Sequence, residues 1–433
     1  MKKHETYKNS GVEWLGDIPE HWRILPGLNF IYENKDRNKG MKRNTVLSLS
    51  YGKIRVKKEN ELTGLVPESF ETYQFVNKGD LIFRPTDLQN DTVSLRSSIS
   101  EYEGIITNAY LNLRFKPKAN SKFYHYFFRS IDNNKIIYGL GSGLRQNISY
   151  LDFRRFQFPF PPLQEQTAIA EFLDDKTAKI DQAIAIKQQQ INLLKERRQI
   201  LIHKAVTQGI NPDVKLKDSG VEWIGEIPEG WEVKKLRYLA NCFPSNIDKH
   251  SKVNEIEVRL CNYTDVYKND YITDDMNLMV ATATSDQINK FTLNKGDIVI
   301  TKDSETASDI AVPTYIKEDL TNVVCGYHLA MIRTYENSYS KYLFRALQTK
   351  CFNSQFEICS NGITRVGLGS SDLKNGSFLL PSEKEQIEIA QYIEVGITKI
   401  ATAISLKEQE IQKLKEYKSS LIDGVVTGKV RVC

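Results

Sequence analysis

The sequence predicts an α+β chain: two mixed α/β globules separated by two long antiparallel helices forming a coiled coil, laid out as a pseudo-twofold tandem repeat. Three observations predict it. The segment SGVEWLGDIPEHW at residues 10–22 returns almost unchanged as SGVEWIGEIPEGW at residues 219–231, an offset of 209. A longer repeat lies at offset 220, where PPLQEQTAIAEFLDDKTAKID, from Pro161, is answered by PSEKEQIEIAQYIEVGITKIA, from Pro381. Both copies of that longer repeat then carry apolar residues in steps of three and four to the end, the spacing of one buried helix face.

The helices follow from punctuation as well as periodicity. Pro161 and Pro381 stop a preceding strand and open a helix at its first turn, and Gly209 and Gly428 stand where each helix should close. About 44 residues at a rise of 1.5 Å make a rod of roughly 66 Å. The first seam reads Leu173, Ile180, Ile184, Ile191, Leu194, Leu201 and Ala205, and the second Ile393, Ile397, Ile400, Ile404, Ile411, Leu414, Leu421 and Val425. This is heptad spacing. Both copies break the seam at matching places, with Lys187 and Arg198 in one and Lys407 and Lys418 in the other; such breaks fix register, or reach solvent past the seam. Pairing of two equal helices makes them antiparallel and throws the globules to opposite ends. The C-terminal VTGKVRVC then finishes close to the first SGVEW segment.

The expected boundaries are a first globule over residues 1–160, the first helix over 161–209, a connector over 210–218, the second globule over 219–380, and the second helix with a tail over 381–433. The two globules resemble each other only faintly. KGDLIF at residues 78–83 and KGDIVI at residues 295–300 each read as a turn into a buried strand. GSGLRQNISYLDF from Gly141 answers SNGITRVGLGSSDL from Ser360. All four tryptophans, Trp14, Trp22, Trp223 and Trp231, fall inside the shorter repeat, where bulky aromatics are expected as buried anchors.

Bulk properties bound the function. A chain of 433 residues is expected to hold two or three domains, and 40% hydrophobic with 26% charged residues is the balance of a globular protein. The N-terminus lacks the apolar core of a leader, and no apolar run approaches the ~20 residues of a membrane span, so the expected location is the cytoplasm. Six cysteines, none in a C-x-x-C pair, read as ordinary reduced thiols. Residues 1–209 hold 32 basic against 23 acidic residues and the remainder 27 against 31. One half is basic and the other mildly acidic, which argues against a single uniform basic face.

Catalytic patterns are missing. There is no G-x-x-x-x-G-K-[ST] phosphate loop, since Gly424 to Lys429 is one residue short. There is no Asn-Pro-Pro-aromatic segment of an amino-methyltransferase, and the six histidines show neither i, i+4 pairing nor finger spacing to cysteine. Asp213 with Glu232 and Lys234 mimics the Pro-Asp and Glu-x-Lys spacing of a metal-dependent nuclease, but acidic-x-Lys triplets recur throughout the chain. A single-chain Mg²⁺-dependent nuclease is therefore one alternative, and a coiled-coil scaffold that does not bind DNA is another.

The order of repeat, variable globule, PPLQEQTAIAEFLDDKTAKID, long helix, then the same again, resembles the specificity subunits of type I restriction-modification systems. The resemblance covers nearly the whole chain. Its most specific part is the helix start from Pro162 to Asp181; in the second copy it is degraded, with Ala401 where Asp181 stood. The resemblance implies that the globules are target recognition domains, each reading one half of a split, asymmetric site on double-stranded DNA. It implies that the paired helices set the spacer and dock two modification subunits, and that restriction subunits join the same assembly. It further implies a non-catalytic chain without cofactors of its own, S-adenosylmethionine, ATP and Mg²⁺ belonging to the partner subunits.

Candidate DNA contacts are loop residues with groove-reading chemistry. In the first globule they are Lys42, Arg43, Lys53, Arg55, Lys57, Lys58, Arg84, Arg145, Gln146 and Asn147. In the second they are Asn262, Tyr263, Lys302, Arg365 and Lys374.

Overall fold

A computed structural model describes residues 3–61, 69–90, 95–140 and 147–432. The chain forms two compact units, one of residues 1–188 with 408–433 and the other of residues 189–407. The division falls inside the two long helices, Leu163–Gln208 and Glu383–Val426, so each unit contains a stretch of both.

In the first unit a four-stranded antiparallel sheet runs in the order Ile31–Glu33, Leu111–Phe115, Leu81–Phe83, Ser97–Ile99. Helix Ser121–Asn133, capped by the Asn120 side chain accepting from Lys122 N and Phe123 N, sends Phe123, Tyr124, Phe127, Phe128 and Ile131 into the core. Strand Gln157–Phe160 pairs with Arg23–Pro26 and delivers the chain to the proline that opens the first long helix. The core gathers Phe30, Phe83, Phe153 and Phe158 with Leu173 and Ile180 of that helix and with Leu421, Ile422, Val425 and Val426 of the second. Across this helix pair Asp181 meets Lys418 and Lys187 meets Glu410. Partner numbers fall along one helix as they rise along the other, so the pairing is antiparallel.

The second unit holds a five-stranded sheet in the order Ala240–Pro244, Leu329–Thr334, Ile298–Thr301, Pro313–Ile316, Tyr271–Ile272, with only the last pair parallel. A three-stranded sheet of Met279–Ala283, Ile256–Cys261 and Val323–Cys325 supports a core of its own. Helices Asn337–Leu347 and Lys350–Cys359 lie in the larger core, together with Ile202, Ala205 and Val206 of the first long helix and Ile389 and Ile393 of the second. Leu201 packs where Gly396 leaves room, and a Cβ there would stand 2.6 Å from its Cδ1.

The seam residues lie inside. Leu173, Ile180, Ile191, Ala205, Ile393, Ile400, Ile411, Leu421 and Val425 are buried, and Ile184, Leu194, Leu201, Ile397, Ile404 and Leu414 are half-buried. Ile202, Val206, Ile422 and Val426, outside the expected stripe, are buried as well. The reason is that each helix ends embedded in a globular core, which covers more than one face.

The repeats share their local chemistry. Gln166 Nε2 donates to the Pro161 carbonyl at 2.8 Å and Gln386 Nε2 to that of Pro381 at 2.9 Å, which explains the glutamine kept in both helix starts. In the two Lys-Gly-Asp turns, Gly79 and Gly296 sit at φ +87° and +95°, a conformation costly for any other residue. The following Asp80 and Asp297 are buried and receive Arg114 and Arg333 from the neighbouring strand, at 3.0 and 2.7 Å. Trp22 and Trp231 are the buried anchors expected; Trp14 is half-buried against Phe156, and Trp223 is 40% exposed. Among the described residues its one ring contact is edge-on to Phe352, too little cover for an indole.

The C-terminal tail closes on the N-terminal repeat within the first unit. Gly428, at φ +77°, lies so close that a Cβ would stand 2.4 Å from Pro19 Cδ and 3.1 Å from the Trp22 ring. Tyr7 Oη donates to the Lys429 carbonyl at 3.5 Å, and Val430 and Val432 pack on the same core. No helix among the described residues is long and apolar enough to cross a membrane.

Candidate nucleic-acid interface

In the first unit, strands Leu47–Ser50 and Lys53–Val56 form a hairpin whose two turn residues, Tyr51 and Gly52, both take positive φ, the twist that tight hairpins require. Tyr51 stands at the tip, 94% exposed. The period of two turns Ile54 inward and leaves Lys53 and Arg55 exposed on the other face. Lys58 is exposed beyond the strand and Lys57 half-buried. Arg129, largely buried, anchors the turn by donating to the Gly52 carbonyl at 2.5 Å. An aromatic tip on a basic ribbon combines charge for phosphates with a ring that can stack on a base.

The other first-unit candidates divide. Lys42 is exposed, whereas Arg43 is engaged, donating to the Val76 carbonyl and Asn77 Oδ1 at 3.1 Å each and lying 5.3 Å over the Phe75 ring. That is the geometry of a loop brace. Arg84 is half-buried just past its strand, and exposed Asn147 accepts from Asp87 N at 3.2 Å. Arg145 and Gln146 lie outside the described residues. The brace for the Arg84 loop is a residue that sequence reading missed: Arg96, fully buried, donates to the carbonyls of Thr86 at 2.7 Å and Asp87 at 3.0 Å. A lone arginine before a strand carries no signal for that role.

The second unit brings three of its five candidates together, Lys302, Arg365 and Tyr263. Asp303–Ser304 pairs with Val366–Gly367, and Leu368 N donates to the Lys302 carbonyl at 2.9 Å, so the Lys302 and Arg365 loops are joined. Between them stands His328. Its Nδ1 is 3.3 Å from Asp303 Oδ2 and its Nε2 3.0 Å from Arg365 Nη1. Burial, with the charges of Arg365 and Lys302, lowers its pKa against the pull of Asp303, favouring the neutral ring. A neutral ring protonated on Nδ1 donates to Asp303 and accepts from Arg365, which orients the guanidinium while leaving its other donors exposed. Tyr263 joins through Ser304 Oγ at 3.0 Å and stacks on Tyr267. Asn262 instead caps the short helix Tyr263–Lys268, in a capping box with Asp265. Lys374 is exposed at the end of helix Ser370–Asn375. Asp303, Ser304 and His328 were not singled out by sequence; their separation along the chain hid them.

The nuclease alternative finds no support. Glu232 lies on the strand Glu232–Lys235 and pairs with Lys234 two residues on, at 3.1 Å, so the two charges neutralise each other on one strand face.

Comparison with known proteins bears on the family and the fold. Residues 34–196 and 228–416 each match the family described as the type I restriction modification DNA specificity domain. The chain is 24% identical over 336 residues to the type I restriction enzyme MjaVIII specificity subunit of Methanocaldococcus jannaschii, covering 76% of this chain and 75% of that protein. It is 25% identical over 275 residues to the EcoKI specificity subunit of Escherichia coli, covering 62% and 57%. Two solved structures share the fold. One, from work on complex assembly and conformational transition of the type I R-M system, has TM-score 0.69 at 13% identity and covers 95% of this chain and 99% of its own. The other, the HsdS subunit of Thermoanaerobacter tengcongensis, has TM-score 0.53 at 14% identity, covering 95% and 98%.

Proposed function

The chain belongs to the type I restriction-modification DNA specificity family, and on that premise we propose how its parts divide the work of reading DNA. It is a specificity subunit, a recognition component that works with other subunits and DNA and is not itself the enzyme. Each globule reads one half of a bipartite, asymmetric site. The single observation that carries this reading is that the family matches twice while the two candidate interfaces differ in kind, a basic hairpin with an aromatic tip in one and an Asp-His-Arg cluster in the other. Unlike surfaces read unlike sequences.

In this reading the long helices set the number of base pairs between the half-sites and dock two modification subunits. Exposed Leu193 and Ile200 on the first helix, and Tyr392 and Val395 on the second, support docking in the second unit. Restriction subunits join the same assembly. S-adenosylmethionine, ATP and Mg²⁺ are bound by these partners, and the assembly works in the cytoplasm, where its DNA is.

The test is an insertion. Four residues added around Gln188 to Gln190 lengthen the first helix by about 6 Å and keep the seam roughly in phase. Methylome sequencing of a strain expressing the variant with its modification subunit should show both half-sites unchanged and the spacer longer by about one or two base pairs. An active variant with the original spacer shows that the helices do not set the distance.

A further inference from the structure

The fold gathers three groups that the sequence keeps far apart. His4 comes from the N-terminal segment, His21 from the turn after strand Asp17–Pro19, and Glu165 from the first turn of the first long helix. One ligand atom from each lies within 4.8 Å of the others, and His21 Nε2 is 2.8 Å from Glu165 Oε2. We propose that His4, His21 and Glu165 form a binding site for a borderline divalent transition-metal ion, of which Zn²⁺ is the representative.

The donor set argues for the metal class. Two imidazoles and a carboxylate suit zinc and its first-row neighbours, whereas Mg²⁺ and Ca²⁺ select oxygen ligands. Three protein ligands leave a fourth position for water. His21, with its side chain 51% exposed, provides the route in, while Glu165, 11% exposed, is held from below.

The second half of the chain supplies an independent comparison. The position 220 after Glu165 is Glu385, and it accepts the indole N–H of Trp231 at 3.0 Å. The positions 209 after His4 and His21 are Asp213 and Gly230, so that half has no imidazole there. In the first half the equivalent indole nitrogen, on fully buried Trp22, has no hydrogen-bond partner among the described residues, and the His4 ring lies 6.3 Å from the Trp22 ring. A buried donor left unpaired calls for an acceptor. Glu165 has turned to His21. With a cation between one Glu165 oxygen and the two histidines, the carboxylate would be held with its other oxygen to receive Trp22, as Glu385 Oε1 receives Trp231. That indole would then be the outer support which ligating carboxylates ordinarily have.

The ion would join the N-terminal segment to the helix start beside Arg431 and Glu5, which line the same cavity. The test uses the full-length chain without a polyhistidine tag, stripped by chelator and titrated with Zn²⁺ alone, in parallel with the H4A/H21G double variant. Wild type should take up one equivalent more than the variant, and Zn²⁺ should raise its Tm by several degrees while leaving the variant's unchanged. Singly, H21G and E165Q should each weaken binding at least tenfold, which keeps the test open should the double variant fold poorly. Co²⁺ on the wild type should give absorption of nitrogen and oxygen ligation without thiolate charge transfer. Equal uptake by wild type and variants, or a cobalt spectrum of cysteine ligation, overturns the site.

Discussion

Lys418 Nζ donates to both carboxylate oxygens of Asp181 at 2.7 Å, bridging the two long helices within the first unit. The repeat does not preserve this pair. Ala401 stands where the second copy would need the aspartate, and Arg198, the counterpart of Lys418, turns to Asp270 of the second globule instead. The Asp181 side chain is 59% exposed, so the bridge is worth at most about 1 kcal/mol. Leu173, fully buried eight residues earlier, should cost about 2–5 kcal/mol when cut to alanine. Denaturant melts of D181A and L173A should differ accordingly; equal losses would show that the ion pair carries the helix junction.

Exchange of residues 23–160 for the matching segment of a relative should change one half-site and leave the other. Methylome sequencing reads the result directly. A change in both halves counts against independent globules.

The two interfaces should fail differently on mutation. K53A/R55A removes exposed charge from the hairpin, so binding should weaken on every DNA sequence and the salt dependence should fall by roughly two units of slope, at about 0.9 per phosphate contact. R365A removes an oriented fork. It should lose about 1–3 kcal/mol of discrimination at one base pair, relaxing one position of one half-site. Fluorescence anisotropy across a salt series, with matched and single-mismatch duplexes, separates the two.

Acid should loosen the first unit through His125. This ring, on helix Ser121–Asn133, is half-buried with its Nδ1 shut off from solvent, and that desolvation, with the Arg129 charge, pushes its pKa down to about 3 from the usual 6.5. Below pH 6.5 the unfolded chain binds a proton there that the folded chain refuses, so stability falls as pH falls, by up to about 1.4 kcal/mol per unit, until the ring titrates near 3. H125Q should show a flatter stability profile between pH 6.5 and 5. A parallel profile assigns the acid sensitivity elsewhere.

A chain permuted to begin at Ser219, with Cys433 linked to Met1, should fold and direct methylation of the same site. The seat of Gly428 against Pro19 and Trp22 makes the join short. Failure to fold would mean that the cut before Ser219 removes a connection the second unit needs.

The frame was legible because repetition removes the ambiguity of a single pattern. Two copies of one seam, each bracketed by proline and glycine, specify a helix far better than one, and the recurrent Lys-Gly-Asp turns locate a buried strand in each globule. Contact side chains were less legible. Asp303, His328 and Arg365 are spread over 63 positions, and it takes the pairing of Asp303–Ser304 with Val366–Gly367 and of Thr301 with Leu329 to bring them together. The charge of Arg43 points to a DNA contact, yet its loop has a nearer use for it in the Val76 carbonyl and Asn77. The Trp223 exposure escaped notice because a residue inside a repeat inherits its copy's expected burial, while the cover over it depends on the globule that varies.

The first unit is assembled from residues 1–188 and 408–433, and that threading sets a timetable for synthesis. Ribosomes add about 5–20 residues per second, so roughly 10–50 s separate the emergence of the first globule from that of the helix turn that completes it. During that wait the apolar faces of Leu173 and Ile180 lack Leu421, Ile422, Val425 and Val426, and a nascent-chain chaperone has reason to attend. Truncation before residue 408 should therefore injure the unit that holds residues 1–188, made first, and spare the unit of residues 189–407.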